Sequence, residues 1–165
     1  MSDMSTIEHG AAEPPVHSPA EIEEWAELVR RRIVRQPPRP GTVKTPDSII
    51  EDLEHLKYAA GQNVVILREA ERMRSAARRA LARAQAAAQR TAREEAKTEK
   101  LTVDEKAARV EELTEALADA VEVAEIAYNY ARRVAELTES AKSTTQTQSK
   151  QVEITYALAG SRRGA

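Results

Sequence analysis

The sequence predicts an all-α protein, a long antiparallel helical hairpin of coiled-coil type preceded by a short amphipathic helix. Three observations predict it. Apolar residues recur at alternating spacings of three and four through two long stretches, which is the period of one helix face. Neither Gly nor Pro interrupts positions 62–100 or 102–159. Ala is the commonest apolar residue, and there is no Phe, one Trp and four Tyr, a supply that suits a thin helix-on-helix seam better than a thick core.

The elements follow in order. Residues 1–17 are small, polar and acidic, with Pro14 and Pro15, and read as a disordered tail. Ser18-Pro19-Ala20-Glu21 then places Ser at an N-cap, Pro at the first helical position and Glu at the third, a capping box. The helix expected over 18–35 carries Ile22, Trp25, Ala26, Val29 and Ile33 on one face. Pro37, Pro38 and Pro40 make 36–45 a stiff linker.

The hairpin is expected over 46–160. Its first helix begins near Thr45-Pro46, with Ser48 and Glu51 offering a capping box one turn later. Its seam reads Ile49, Leu53, Leu56, Ala60, Val64, Leu67, Ala70, Met73, Ala77, Leu81, Ala84 and Ala88, with Gly61 as the one interior weak point. A break is expected between 97 and 101, followed by a third capping box at Thr102 and Glu105. The second seam reads Ala107, Val110, Leu117, Val121, Ala124, Tyr128, Ala131, Ala135 and Thr138. Helices of about 50 residues would each be about 75–80 Å long, and a short link makes them antiparallel neighbours. The polar tract 143–150 reads as a weakly helical stretch. Positions 152–158 fit either a period of two or a continued helix, and helix is preferred because no second strand exists to pair with. Residues 161–165 form a basic tail with Arg162 and Arg163.

Composition narrows the function. Lys and Arg number 25 against 27 Asp and Glu, so the chain is neither a generally basic nucleic-acid binder nor an acidic mimic. Zero Cys removes thiol catalysis, disulfides and thiolate metal sites. No apolar run reaches the roughly 18 residues that span a bilayer, and no signal-peptide pattern opens the chain, so no membrane association is expected. The three His lack metal-ligand spacing, and no phosphate loop or nucleophile elbow is present. No catalytic residue, metal, cofactor or small-molecule substrate is therefore expected.

Two arginine clusters and one tryptophan carry the remaining signal. Arg72, Arg74, Arg78, Arg79, Arg83, Arg90 and Arg93 follow one another with no Asp or Glu between them. Folding back at about residue 100 would lay them beside Glu111, Glu112, Glu115, Asp119, Glu122 and Glu125, so charge matching that sets register is the first reading. Phosphate contact through Arg78, Arg79 and Arg83 is the second. Arg30, Arg31, Arg32, Arg35, Arg39 and Lys44 form the other cluster, favourable at a helix C-terminus and also a candidate anion patch. Trp25, with Ile22, Val29 and Ile33, either docks the small helix on its own chain or anchors a partner. Tyr128 and Tyr130 cannot share a helix face, which predicts one in the seam and one exposed.

The Ala- and Glu-rich hairpin with Ala127-Tyr128-Asn129-Tyr130-Ala131-Arg132-Arg133, the later Gln148-Ser149-Lys150-Gln151-Val152 and the basic terminus resembles small helical accessory proteins of tailed bacteriophages of actinobacteria. That resemblance covers residues 62–163 and implies a role beside DNA-processing enzymes in the host cytoplasm, without assigning a function to any one residue. The functional expectation is a non-enzymatic interaction or scaffold protein with a protein partner or self-association. The alternative is a nucleic-acid-associated accessory protein of phage recombination or replication.

Overall fold

A computed structural model describes residues 16–34, 44–99 and 101–161. Over these the chain is all-helical: α1 (Pro19–Ile33), α2 (Pro46–Glu99) and α3 (Val103–Ser161). Arg35, Arg39, the tail through residue 15, most of the proline-rich linker and positions 162–165 lie outside the described residues.

Local chemistry sets each helix start. The Ser18 backbone N–H donates to Glu21 Oε2 at 2.7 Å, and the Glu21 N–H donates to Ser18 Oγ at 3.3 Å, with Pro19 supplying the first helical residue. Thr102 and Glu105 repeat this pairing, at 2.7 and 3.3 Å. Helix α2 starts at the expected Thr45-Pro46, and the further box offered by Ser48 and Glu51 is not used. Thr45 is the cap, and Ser48 replaces the usual Glu, with the two residues exchanging backbone-to-hydroxyl bonds of 3.1 and 3.2 Å. The Ser48 hydroxyl thus takes the place of the carboxylate, at a longer distance, and the helix begins at Pro46, where Thr45-Pro46 puts it.

The polar tract 143–150 is continuous helix within α3. Thr144, Thr145 and Thr147 each donate a hydroxyl to the carbonyl four residues back, at 3.0, 3.0 and 3.1 Å, which satisfies them without breaking the ladder. Positions 152–158 are helical too.

The three helices meet over one stretch. Ile22, Ala26 and Val29 of α1 form a buried cluster with Ala59, Ile66, Ala70 and Met73 of α2 and with Ala124, Ala127, Ala131 and Val134 of α3. Between α2 and α3, side-chain partners run in opposite order along the two helices. Lys44, just before α2, reaches Gln148 at 3.0 Å, Asn63 reaches Thr138 at 2.6 Å, Arg74 reaches Glu125 at 3.4 Å, and Glu95 reaches Arg109 at 3.5 Å.

The expected seam of α2 needs correction in its first half. Ala60 and Leu67 are half-buried and Val64 is 69% exposed, while Ala59, Asn63 and Ile66 are buried. The displaced residue is Asn63, a polar side chain that the apolar pattern passes over. Its amide donates to Thr138 Oγ1, whose own proton goes to the Val134 carbonyl at 2.9 Å, so the buried pair is satisfied. With Asn63 counted, Leu56, Ala59, Asn63, Ile66, Ala70 and Met73 alternate in steps of three and four. In α3, Ala107 is exposed and Ala135 half-buried, whereas Thr114 and Thr145 are buried with their hydroxyls bonded inside the helix.

Thr138→Val keeps the shape but leaves the Asn63 amide without its acceptor. Chemical denaturation should show a loss of about 1–3 kcal/mol. Adding Asn63→Leu should restore most of it, because removing both polar partners is far less costly than removing one.

Candidate functional site

Of the four apolar residues proposed on α1, Ile22 and Val29 are buried inside the chain, at 0% and 3% exposure. Trp25 and Ile33 lie half-buried at the rim. The Trp25 indole packs against the His17 imidazole with ring centroids 4.4 Å apart, and a groove between α1 and α2 is lined by Trp25, Leu28 and Val65. The apolar face of α1 is thus spent within its own chain.

A polar clamp fixes that docking. The Tyr130 hydroxyl of α3 donates to Glu27 of α1, and Glu27 also accepts from Arg30 at 2.6 Å and Arg31 at 2.9 Å. These bonds hold the Glu27 carboxyl far below the usual range, chiefly through Arg30, then Tyr130 and Arg31. The same contact pushes the Tyr130 phenol above its ordinary value. Tyr130 therefore faces α1 and Tyr128 packs under Arg74, whose guanidinium lies 3.9 Å from the ring centre. The expectation of one seam and one exposed tyrosine fails because α3 has two neighbours and so two interior directions.

The arginines divide by helix face. Arg30 and Arg31 are committed to Glu27, and Arg32 donates to Gln62 at 3.2 Å. Arg74 and Arg78 flank the seam and share Glu125, with Arg74 also bound to Glu71 at 2.5 Å. Arg79, Arg83, Arg90 and Arg93 are exposed and make no ion pair among the described residues. At about 100° per residue, Arg68, Arg72, Arg83, Arg90, Arg93 and Lys97 all fall within about 40° of Arg79. Buried Ala70 and Ala88 lie about half a turn away from it. The ridge therefore points away from α3, and the expected charge matching occurs only where Arg74 and Arg78 meet Glu125.

Helix α3 repeats this arrangement with the opposite sign. Asp104, Glu111, Asp119 and Glu122 fall within about 40° of Glu115, opposite buried Ala124. All five are exposed, and none makes an ion pair among the described residues. The cations at 79–97 and the acids at 104–122 each extend about 27 Å. Arg68 and Lys97 were missed as members of the cationic face because the acid-free run bounded the reading. Projecting the sequence at the helical period would have found both.

Among the described residues no group of three His, Asp or Glu side chains could hold a metal ion, and no helix is long and apolar enough to cross a membrane.

The Glu27 clamp gives a pH prediction. A carboxylate with a depressed folded value contributes stability above its ordinary value, near 4.5, and loses it as pH falls toward the folded one. A phenol with a raised value contributes below about 10 and loses it as pH rises through the folded value. Trp25 is the only Trp, so its fluorescence should report α1 loosening on acidification below about 4.5 and again above about 10. Glu27→Gln should shrink the acid limb, leaving the part owed to the Glu21 cap, and Tyr130→Phe should shrink the alkaline one.

No family model matches the chain, and neither a curated protein nor a solved structure matches it.

Proposed function

We propose that this is a non-enzymatic interaction or scaffold protein whose α2 and α3 form one long antiparallel hairpin of coiled-coil type, braced by α1. The observation that carries this reading is the division of surfaces. One apolar cluster joins all three helices inside the chain, while the outer faces of the distal halves of α2 and α3 carry aligned charge, with Arg79, Arg83, Arg90 and Arg93 on one and Glu111, Glu115, Asp119 and Glu122 on the other making no ion pair among the described residues. A rod built this way presents recognition surfaces and encloses no site for chemistry. Its stabilising contacts lie along the length, as they do in scaffolds that hold partners at fixed separation.

A second reading has one observation of its own. Seven cations on a single face of α2, from Arg68 to Lys97, cover about 44 Å and could neutralise phosphates of a nucleic acid. It accords with the likeness to phage accessory proteins that act beside DNA-processing enzymes.

Spin labels at the exposed positions Glu54 and Gln146 test the hairpin. Helix axes about 8–10 Å apart place them within about 20 Å inside one subunit, whereas a continuous rod would separate them by about 138 Å. Duplex binding measured against salt tests the second reading. Contact through the cationic face predicts an affinity that falls steeply with salt, with a slope near −0.9 per phosphate, and weakens on Arg79→Ala with Arg83→Ala. Absence of binding at low salt removes it.

A further inference from the structure

We propose that the distal half of the rod is self-complementary: the cationic face of α2 over 79–97 docks on the acidic face of α3 over 104–122 of a second copy, so that copies associate side by side. This rests on the hairpin reading, since it needs the two faces on opposite edges of one arm.

The faces are unsatisfied where they should be if they await each other. Arg79, Arg83, Arg90 and Arg93 on one edge, and Asp104, Glu111, Glu115, Asp119 and Glu122 on the other, are exposed and have no ion-pair partner among the described residues. Charges that served only solubility would be expected with signs interspersed. Here each face carries one sign, and the two signs are separated by the width of the arm.

The faces also match in length and register. Contacts within the chain join residues about equally far from the break before Thr102, as Asn63 with Thr138 and Glu95 with Arg109 do. Two arms lying level, with no axial offset, therefore bring Arg79 opposite Glu122, Arg83 opposite Asp119 and Arg90 opposite Glu111, with Lys97, which also pairs with Glu94 at 2.8 Å in its own helix, opposite Asp104. Ala86 and Ala108, both exposed, lie within these faces and let the helices approach. Opposite charge at facing helical positions is the device that sets pairing and orientation in helical assemblies.

A nucleic-acid duplex fits this face less well. The cations form a straight row, while a duplex backbone winds past a straight line about once per 34 Å turn for each strand. No aromatic side chain interleaves the arginines to stack bases of a single strand. The acidic outer face of α3 is straight and the same length.

The edges are different surfaces, so the contact is head-to-tail in the lateral sense. Each added copy buries one cationic and one acidic edge and leaves one of each exposed. The assembly is an open row and not a closed dimer.

Sedimentation of the full chain over a concentration series tests this. At about 0.1 M salt the weight-average mass should rise with concentration. At about 1 M, where the screening length falls to about 3 Å, it should return to that of one chain. A variant with Arg79, Arg83, Arg90 and Arg93 all changed to Glu should stay monomeric at low salt. So should one with Glu111, Glu115, Asp119 and Glu122 all changed to Lys, each with wild-type helix content by circular dichroism. Mixing the two should restore association, because one now carries two acidic edges and the other two cationic ones. A wild-type mass independent of concentration and salt overturns the proposal, as does a mixture of folded variants that fails to associate. Monomeric protein that instead binds duplex DNA through the four arginines overturns it in favour of nucleic acid. Labels at 54 and 146 that lie close while no association occurs separate failure of this proposal from failure of the hairpin.

Discussion

Small residues at the contact between α2 and α3 constrain everything else in the structure. Ala59, Ala70, Ala88 and Ala92 on one helix and Ala124, Ala127 and Ala131 on the other are buried. An alanine methyl removes little apolar area from water, so a two-helix contact made of them is weak per unit length. The same small size leaves room for a third element, and α1 occupies it. Ile22 and Val29 bring their bulk to the stretch where Ala124, Ala127 and Ala131 lie, and Trp25 closes the rim. A helix that could have been a partner's ligand is therefore a brace, held at its polar side by Glu27 and Tyr130.

Beyond the reach of α1 the contact thins. Leu81 and Ala84 are half-buried, and Ala88 and Ala92 are the last buried residues of α2. The stability of the distal half thus depends on a narrow seam and on the box that restarts the chain at Thr102 and Glu105. Charges placed on the outer faces there add little to the folding of a single chain: Arg79, Arg83, Arg90 and Arg93 make no ion pair among the described residues, and Lys97 has only the exposed pair with Glu94 in its own helix.

The helix starts were legible because they are local. A Ser or Thr cap, a Pro and a Glu three residues later lie within four positions, and their chemistry needs no knowledge of the rest of the chain. The break before Thr102 was legible for the same reason. The seam was legible only where it is apolar. Asn63 defeated the pattern because its place is secured by Thr138, 75 residues away, and no periodicity of hydrophobic residues records a hydrogen bond across that distance. The contact of Tyr130 with Glu27 was hidden likewise, and the apolar face of Ile22 and Val29 left docking within the chain and docking on a partner both open. That contact and the docking within the chain each depend on α1 lying against both long helices, which is a tertiary fact. The arginine ridge was visible as a run but misread as to direction. Proximity in a folded-back sequence is not proximity in space unless the residues also share the facing side of the helix. Arg74 and Arg78 do, whereas Arg79 and Arg83 do not.

Separation of sign, more than the quantity of charge, distinguishes the distal halves of α2 and α3. With 25 cations and 27 acids the chain is almost neutral overall, and at distances beyond about 10 Å in ordinary salt its field largely cancels. In the proposed hairpin the field near either edge of the distal half would have one sign, because the opposite charge would lie across the width of two helices. Such a surface discriminates by orientation and by distance of approach. A partner must present a straight row of the complementary sign at close range before it gains anything. An exposed apolar stripe of the same length would bind more strongly but would accept any other apolar stripe, including its own. Edges built mainly of separated charge, as proposed for the distal half, would exchange strength for selectivity and make their contacts responsive to salt.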